Sequence, residues 1–268
     1  MTDTTPRTAA ALAAHRSWRT VLAFGAHPDD LDFGAAATLA GLAAAGCHVV
    51  QCVVTDGDAG GFDSEGPAAM TARRHAEQRA AAAALGVAEV RFLGERDGYL
   101  EPTHAVREKI VAVMREVRPD VVVSTHPERD YSRLQRAHPD HLACGEAVVS
   151  AAYPAVENPY AYPDLAARGL EAFRVRDLLL YGGPAARENL AVDVTGWVET
   201  KLEALMAHVS QHPDVARMQD FVRQQLAATH ARFSADEAGD SLSAPPTELA
   251  AEAFHLVEVN APDTIAGF

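Results

Sequence analysis

From Thr20 onward the chain alternates short runs of β-branched residues with Ala-rich stretches of helical period. That alternation restricts it to an α/β architecture, a mostly parallel sheet with helices on both faces. Strands are expected at Thr20–Gly25, His48–Thr55, Glu89–Leu93, Asp120–Thr125 and Asp177–Tyr181. Helices fall between them at Phe33–Ala45, Thr71–Leu85 and Val106–Val117, stopped in turn by Gly46, Gly86 and Pro119. Another helix opens at His138-Pro139-Asp140-His141 and runs to about Ala152. Tyr153–Pro163, rich in Pro, Tyr and Asn, reads as a long loop. Val198–Ser210 and Val215–Phe233 read as a helical pair turning at His212-Pro213-Asp214, and Ala253–Val259 as an edge or returning strand. The expected organisation is one α/β domain over residues 1–268, with a core at about 20–211 and a C-terminal appendage over 212–268.

Charge narrows the choice of partner. With 23 Lys and Arg against 37 Asp and Glu, the net charge is −14, and the basic residues are scattered rather than clustered, which argues against nucleic acid. A hydrophobic content of 48% with 22% charged residues suits a folded globule and not a disordered chain. Three cysteines, Cys47, Cys52 and Cys144, lack C-x-x-C spacing, so neither a disulfide framework nor a thiolate zinc knuckle is indicated. The apolar stretch Ala9–Ala14 has no basic segment before it and is too short for a signal core, and no run approaches the ~20 apolar residues of a membrane span. A cytoplasmic location is expected, and an acidic surface with an exposed sheet edge is compatible with a homo-oligomer.

Two polar clusters fall where an open α/β sheet places its reactive crevice, at the carboxyl ends of strands. Ala26-His27-Pro28-Asp29-Asp30 follows the first strand, and His138-Pro139-Asp140-His141 follows the fourth. His27, Asp30 and His141 make a two-His, one-carboxylate set that suits catalytic Zn2+ with positions left open. Asp29 is then the candidate general base. His138 is placed to stabilise an oxyanion or protonate a departing amine, as imidazolium, with Asp140 orienting its ring. His-Pro-Asp recurs at His212-Pro213-Asp214, where ordinary turn and first-turn composition explains it. The two assigned copies differ in carrying a ligand-type residue at the fourth position and in following a strand.

These motifs, with Phe33-Gly34, Thr38-Leu39-Ala40, Thr55-Asp56-Gly57, Arg74-x-x-Glu77, Leu85-Gly86-Val87, Phe92-Leu93-Gly94, Asp97 and Lys201 to Gln211, resemble the LmbE-like (PIG-L) zinc-dependent N-deacetylases over about Val21–Gln211. The resemblance implies a Rossmann-like fold and removal of an N-acetyl group from a glucosamine-containing small molecule. It implies zinc on His27, Asp30 and His141, Asp29 as base, and His138 with Asp140 behind it. It also implies Arg74 and Asp97 as substrate-binding residues, although a solvated helix face is the plain alternative for Arg74. The sequence departs from the common pattern in two places: Leu31 stands where Glu is usual, with Asp32 next, and Arg136 stands where some relatives have Tyr, with Tyr131 in the same loop. His126 is expected either to line the pocket or to be a satisfied loop histidine.

The relatives implied act on glucosaminyl-inositols, chitin-derived disaccharides, antibiotic pseudoaglycones and thiol conjugates. The loop Tyr153–Pro163 and the segment Ala235–Pro246 are expected to form pocket walls. Two other classes compete: a nucleotide-binding module, which lacks the G-x-G-x-x-G fingerprint after the first strand, and a non-catalytic zinc-binding relative that recruits partners.

Overall fold

The computed structural model describes residues 6–61, 66–134, 137–234 and 249–260. Its strands are β1 (Arg7–Thr8), β2 (Thr20–Gly25), β3 (His48–Thr55), β4 (Glu89–Glu95), β5 (Val121–Thr125), β6 (Asp177–Tyr181), β7 (Leu190–Asp193) and β8 (Ala251–Glu258). The helices are α1 (Ala9–Arg16), α2 (Asp30–Gly34), α3 (Ala36–Ala44), α4 (Pro67–Ala84), α5 (His104–Val117), α6 (Pro139–Ser150), α7 (Pro163–Ala167), α8 (Val198–Met206) and α9 (Val215–Ser234). The strands form one sheet in the order β1-β7-β8-β6-β5-β2-β3-β4. Pairing is parallel except that β8 runs antiparallel to both β6 and β7.

Alternation along β2 shows why both faces are covered. Val21 and Ala23 point into a core with Trp18, Leu39, Leu202 and Phe254, whereas Leu22 and Phe24 point into one with Ile110, Met114 and Val148. All four of these β2 side chains are fully buried. At ~25 cal/mol per Å² of apolar surface removed from water, each large side chain so placed contributes roughly 1.5–3 kcal/mol. The chain leaves β2 toward β3 on one side and later places β5 on the other, with Val21–Ala23 pairing to Val121–Val123. This reversal of strand order opens a crevice at the carboxyl ends of β2 and β5, and the two polar clusters follow those strands.

Several expected elements are redrawn. The single helix expected over Phe33–Ala45 is two, because Ala35 at φ −147° and ψ 4° breaks it, and the first begins directly at Asp30. The long loop Tyr153–Pro163 starts in a wide turn over Ala151–Ala155 and ends at α7. The helix from Val198 ends at Met206, short of Ser210. The returning strand near the C-terminus is not at an edge: β8 lies between β6 and β7, and β1 and β4 form the edges. Among the described residues no helix is long and apolar enough to cross a membrane. The three cysteines are buried and free.

Candidate active site

The turn after β2 builds the centre of the site. The His27 backbone N–H donates to Asp30 Oδ2 at 2.8 Å, closing the His27–Asp30 turn on itself and presenting both side chains to the crevice. Asp29, between them, takes φ 97° and ψ −24°, a left-handed backbone that non-glycine residues rarely adopt and that turns its side chain away from that of Asp30. On the other side of the crevice Pro139 opens α6 at its first turn, where a missing N–H costs nothing. His138 caps that helix, its Nδ1 accepting the Asp140 N–H at 3.2 Å, and His141 follows on the first turn.

These two turns bring the expected ligands together. His141 Nε2 lies 2.9 Å from Asp30 Oδ1, and His27 Nδ1 lies 3.5 Å from Asp30 Oδ2. The His27 and His141 ring centroids are 5.3 Å apart, and that of His138 is 4.9 Å from His27. Donor nitrogens of His27, His138 and His141 fall within 4.8 Å of one another, as do donor atoms of His27, Asp97 and Asp140. His27 Nε2 meets Asp140 Oδ2 and Asp97 Oδ1, each at 3.1 Å.

The local electrostatics call for a cation. Burial alone would depress the His27 imidazolium, but hydrogen bonds to Asp140, Asp30 and Asp97 outweigh it and push its pKa up to about 12. Four carboxylates, those of Asp29, Asp30, Asp97 and Asp140, face this imidazole and the Arg74 guanidinium, so a cluster of nitrogen and oxygen donors holds excess negative charge. Such a donor set fits a divalent ion of borderline hardness. It also disfavours a pyrophosphate, which would meet carboxylates where a nucleotide-binding turn offers backbone N–H groups.

Asp29 lies on the Arg74 side of this cluster. Burial raises its carboxyl pKa to about 6 against the opposing charge of Arg74, whose Nη2 lies 3.2 Å from Asp29 Oδ2. Arg74 is neither a solvated residue nor an open one: it is 3% exposed, and its guanidinium also donates to the Pro28 carbonyl and lies 3.8 Å from Asp97 Oδ2. Gly57, at φ 64°, leaves the room it needs, since a Cβ there would sit 2.8 Å from the Arg74 side chain. Asp97 is buried beside His27 and Arg74, its own N–H held by Asp58 at 2.9 Å.

Asp140 is placed differently from the sequence expectation. Its carboxylate accepts from the Gly98 and Leu100 backbone N–H groups at 2.7 and 3.3 Å and meets His27. It is the Asp140 backbone N–H, not the carboxylate, that orients His138. Burial and the neighbouring imidazoles hold the His138 pKa below its usual value, and Nδ1, placed as an acceptor of the Asp140 N–H, leaves Nε2 as the donor.

His126 is the satisfied loop histidine, bonded to the Glu128 N–H and to His255, each at 3.0 Å. Tyr131 is 84% exposed and does not approach the centre. Arg136 and the segment Ala235–Pro246 lie outside the described residues. At the third His-Pro-Asp, Asp214 accepts the Arg217 N–H at 3.0 Å and caps α9. Sequence reasoning missed a buried group behind Asp29, in which Asp32 accepts from both Gln78 Nε2 (2.9 Å) and His208 Nε2 (2.8 Å). Two signals for it lay in the sequence, Asp32 between the apolar Leu31 and Phe33 and the stretch Lys201–Gln211 that carries His208.

A cavity of about 430 Å³ opens on Asp30 and His141 and is walled by Phe33, Tyr181, Phe221 and Leu226. A neighbouring cavity of about 680 Å³ shares Glu188, Phe221, Gln225 and Thr229 with it, so the crevice continues along α9.

Residues 22–152 match the family model described as PIG-L: GlcNAc-PI de-N-acetylase. The chain is 34% identical over 199 residues to a diacetylchitobiose deacetylase of Thermococcus kodakarensis, covering 72% of this chain and 70% of that protein. It is 30% identical over 245 residues to a 1D-myo-inositol 2-acetamido-2-deoxy-alpha-D-glucopyranoside deacetylase of Rhodococcus erythropolis, covering 73% of this chain and 82% of that one. Among solved structures, the N,N'-diacetylchitobiose deacetylase of Pyrococcus horikoshii superposes with a TM-score of 0.79 at 25% identity, over 92% of this chain and 86% of that one. The fold, the crevice at the strand reversal and these likenesses agree: the chain belongs to the PIG-L deacetylase family.

Proposed function

We propose that the protein is a zinc-dependent N-deacetylase acting on a glucosamine-containing conjugate, with His27, Asp30 and His141 as metal ligands and Asp29 as general base. The observation that carries the reading is the convergence of that ligand set beside one half-buried carboxylate that points elsewhere. Asp30 sits between the other two ligand candidates, one oxygen facing each imidazole, and would hold the ion together with them. Asp97 and Asp140 are engaged by Arg74 and by backbone amides and suit a supporting role. Zinc, when bound, supplies Lewis-acid polarisation of the amide carbonyl and a lowered pKa for water.

The chain's own groups do the rest. Asp29, with a carboxyl pKa raised to about 6, takes a proton from the attacking water and remains ionised at neutral pH while waiting to do so. As oxygen adds to the carbonyl carbon, the His138 ring, whose Nδ1 already accepts the Asp140 N–H, donates from Nε2 to the growing oxyanion. Collapse of the adduct breaks the C–N bond, the proton held by Asp29 passes to nitrogen, and acetate and a free amine leave. Arg74 keeps the Asp29 carboxylate in place through their ion pair, and with Asp97 it is proposed to shape the sugar site from behind rather than to touch the sugar. The relatives' substrates point to N-acetylglucosamine joined to a second group such as a sugar or an inositol. The cavity on the Asp30 and His141 side is large enough for that group.

The test is acetate release from N,N'-diacetylchitobiose and from N-acetylglucosaminyl-inositol by the purified protein, with bound metal measured. Chelation should abolish release and zinc restore it. Asp29→Asn should keep zinc and lose at least ~100-fold in kcat, in line with general-base catalysis, and His141→Ala should lose the zinc. Full activity after complete metal removal, or in Asp29→Asn, would overturn the assignment.

A further inference from the structure

Pro28 C=O and Asp29 N–H are the two ends of one peptide group, and both are held by a single helix. Arg74 donates from Nη2 to the carbonyl oxygen, and Gln78 accepts the N–H on Oε1 at 2.8 Å. Arg74 and Gln78 lie four residues apart on α4, hence on one face, and both are buried. The peptide they hold is the one whose orientation sets φ of Asp29, which stands at 97°. Pro28 has its own φ fixed by its ring, so rotation of this one peptide plane is the easy route by which Asp29 would relax from its left-handed state.

The Gln78 amide has only one useful orientation. Asp32 can only accept while ionised, so the Gln78 NH2 faces it at 2.9 Å and also donates to Gln51 Oε1 at 3.1 Å. This turns Oε1 toward Asp29. Asp32 is itself held by His208 Nε2 at 2.8 Å, and both are fully buried. The order of donors and acceptors therefore runs without a break from His208 through Asp32 and Gln78 to the Asp29 N–H.

We infer that Gln78, oriented by Asp32 and His208, is a positioning residue that works with Arg74 as a clamp on the Pro28–Asp29 peptide, holding the Asp29 carboxylate at its working angle. The inference rests on the reading of Asp29 as base, and it assigns a role in the reaction to three residues that do not touch substrate.

The experiment uses the zinc-loaded full chain and diacetylchitobiose. Gln78→Ala should lower kcat by ~10–100-fold, the scale expected for a slightly misplaced catalytic group, while KM changes little and zinc stoichiometry is kept. Gln78→Glu should be as impaired, because it sets a carboxylate against Asp32. Because Asp32 Oδ2 serves both Gln78 and His208, Gln78→Glu combined with Asp32→Asn lets a side-chain NH2 face the new carboxylate once His208 shifts its proton to Nδ1, and Gln51, whose Nε2 lacks a partner, can turn to donate. That double variant should recover part of the kcat lost in Gln78→Glu. A crystal structure of Gln78→Ala should show the Pro28–Asp29 peptide rotated. Wild-type kcat in Gln78→Ala alongside an inactive Asp29→Asn would overturn the clamp alone, whereas an active Asp29→Asn would overturn the base beneath it. Parallel loss of kcat, KM and thermal stability, without recovery in the double variant, would also overturn the clamp.

Discussion

His208 and Asp32 are separated by 176 positions in the chain yet share a bond in the fully buried interior. Burial alone would lower the His208 pKa, but the bond to Asp32 and the nearby charge of Asp29 raise it, against opposition from Arg74 and with His212 close by. A histidine whose folded pKa exceeds its unfolded value of about 6.5 contributes fully below that value, and the contribution fades as pH climbs through the folded pKa. The Tm gap between the wild type and His208→Gln should therefore be widest near pH 6 and shrink steadily toward pH 9. A gap that is flat across that range would mean that the imidazole does not carry a charge in the folded protein.

The metal-ligand candidates at this scale were readable because each motif packs its chemistry into four consecutive residues, and a turn of that length fixes its own geometry. His27 and Asp30 need only the turn between them to converge. The Asp32, Gln78 and His208 group was not readable for the opposite reason: its members come from α2, α4 and the segment after α8, and only packing joins them. The tautomer of His138 was equally hidden, since it depends on a backbone N–H and not on the neighbouring carboxylate that a sequence makes conspicuous.

Among the elements, α3 shows how a late strand completes an early helix. Glu252 on β8 accepts from the Ala37 and Thr38 N–H groups at 3.2 and 2.8 Å, capping α3 from a distance, and pairs with Lys201 of α8 at 2.6 Å. Lys201 also donates to the Phe33 carbonyl, and both ions are almost wholly buried. Breaking such a pair leaves one charge without compensation, a cost of ~3–5 kcal/mol. Lys201→Met should lose stability on that scale in urea unfolding, and Lys201→Met with Glu252→Gln should lose clearly less. Equal losses in the two variants would show that the Glu252 carboxylate left without its partner carries no such cost. Long β-branched runs such as those of β2, β3 and β5 were legible in advance. By contrast, β1 with two residues and β7 with four carry too little pattern to be seen.

For the molecule as a whole, the division into a core ending near Gln211 and an appendage beyond it meets a specific obstacle in β8. Residues 251–258 bridge β6 and β7, and β7 in turn carries β1. A chain truncated after Gln211 would leave β6 with an unpaired edge and take Phe254 out of the core it shares with Trp18 and Leu202. Such a truncation should be aggregated or unfolded by circular dichroism and gel filtration, while a monodisperse, cooperatively melting product would show that the first 211 residues are self-sufficient. Sequence periodicity identified β8 as a strand but not its place, because lateral order in a sheet is set by crossovers and not by any local pattern.

Some 70 residues separate the end of β6 from the start of β8. At ~5–20 residues per second of translation, the ribosome needs roughly 4–14 s to supply them. Throughout that interval the nascent polypeptide holds an apolar ribbon with one flank open, so the step most exposed to chaperone capture is the wait for its last neighbour to emerge.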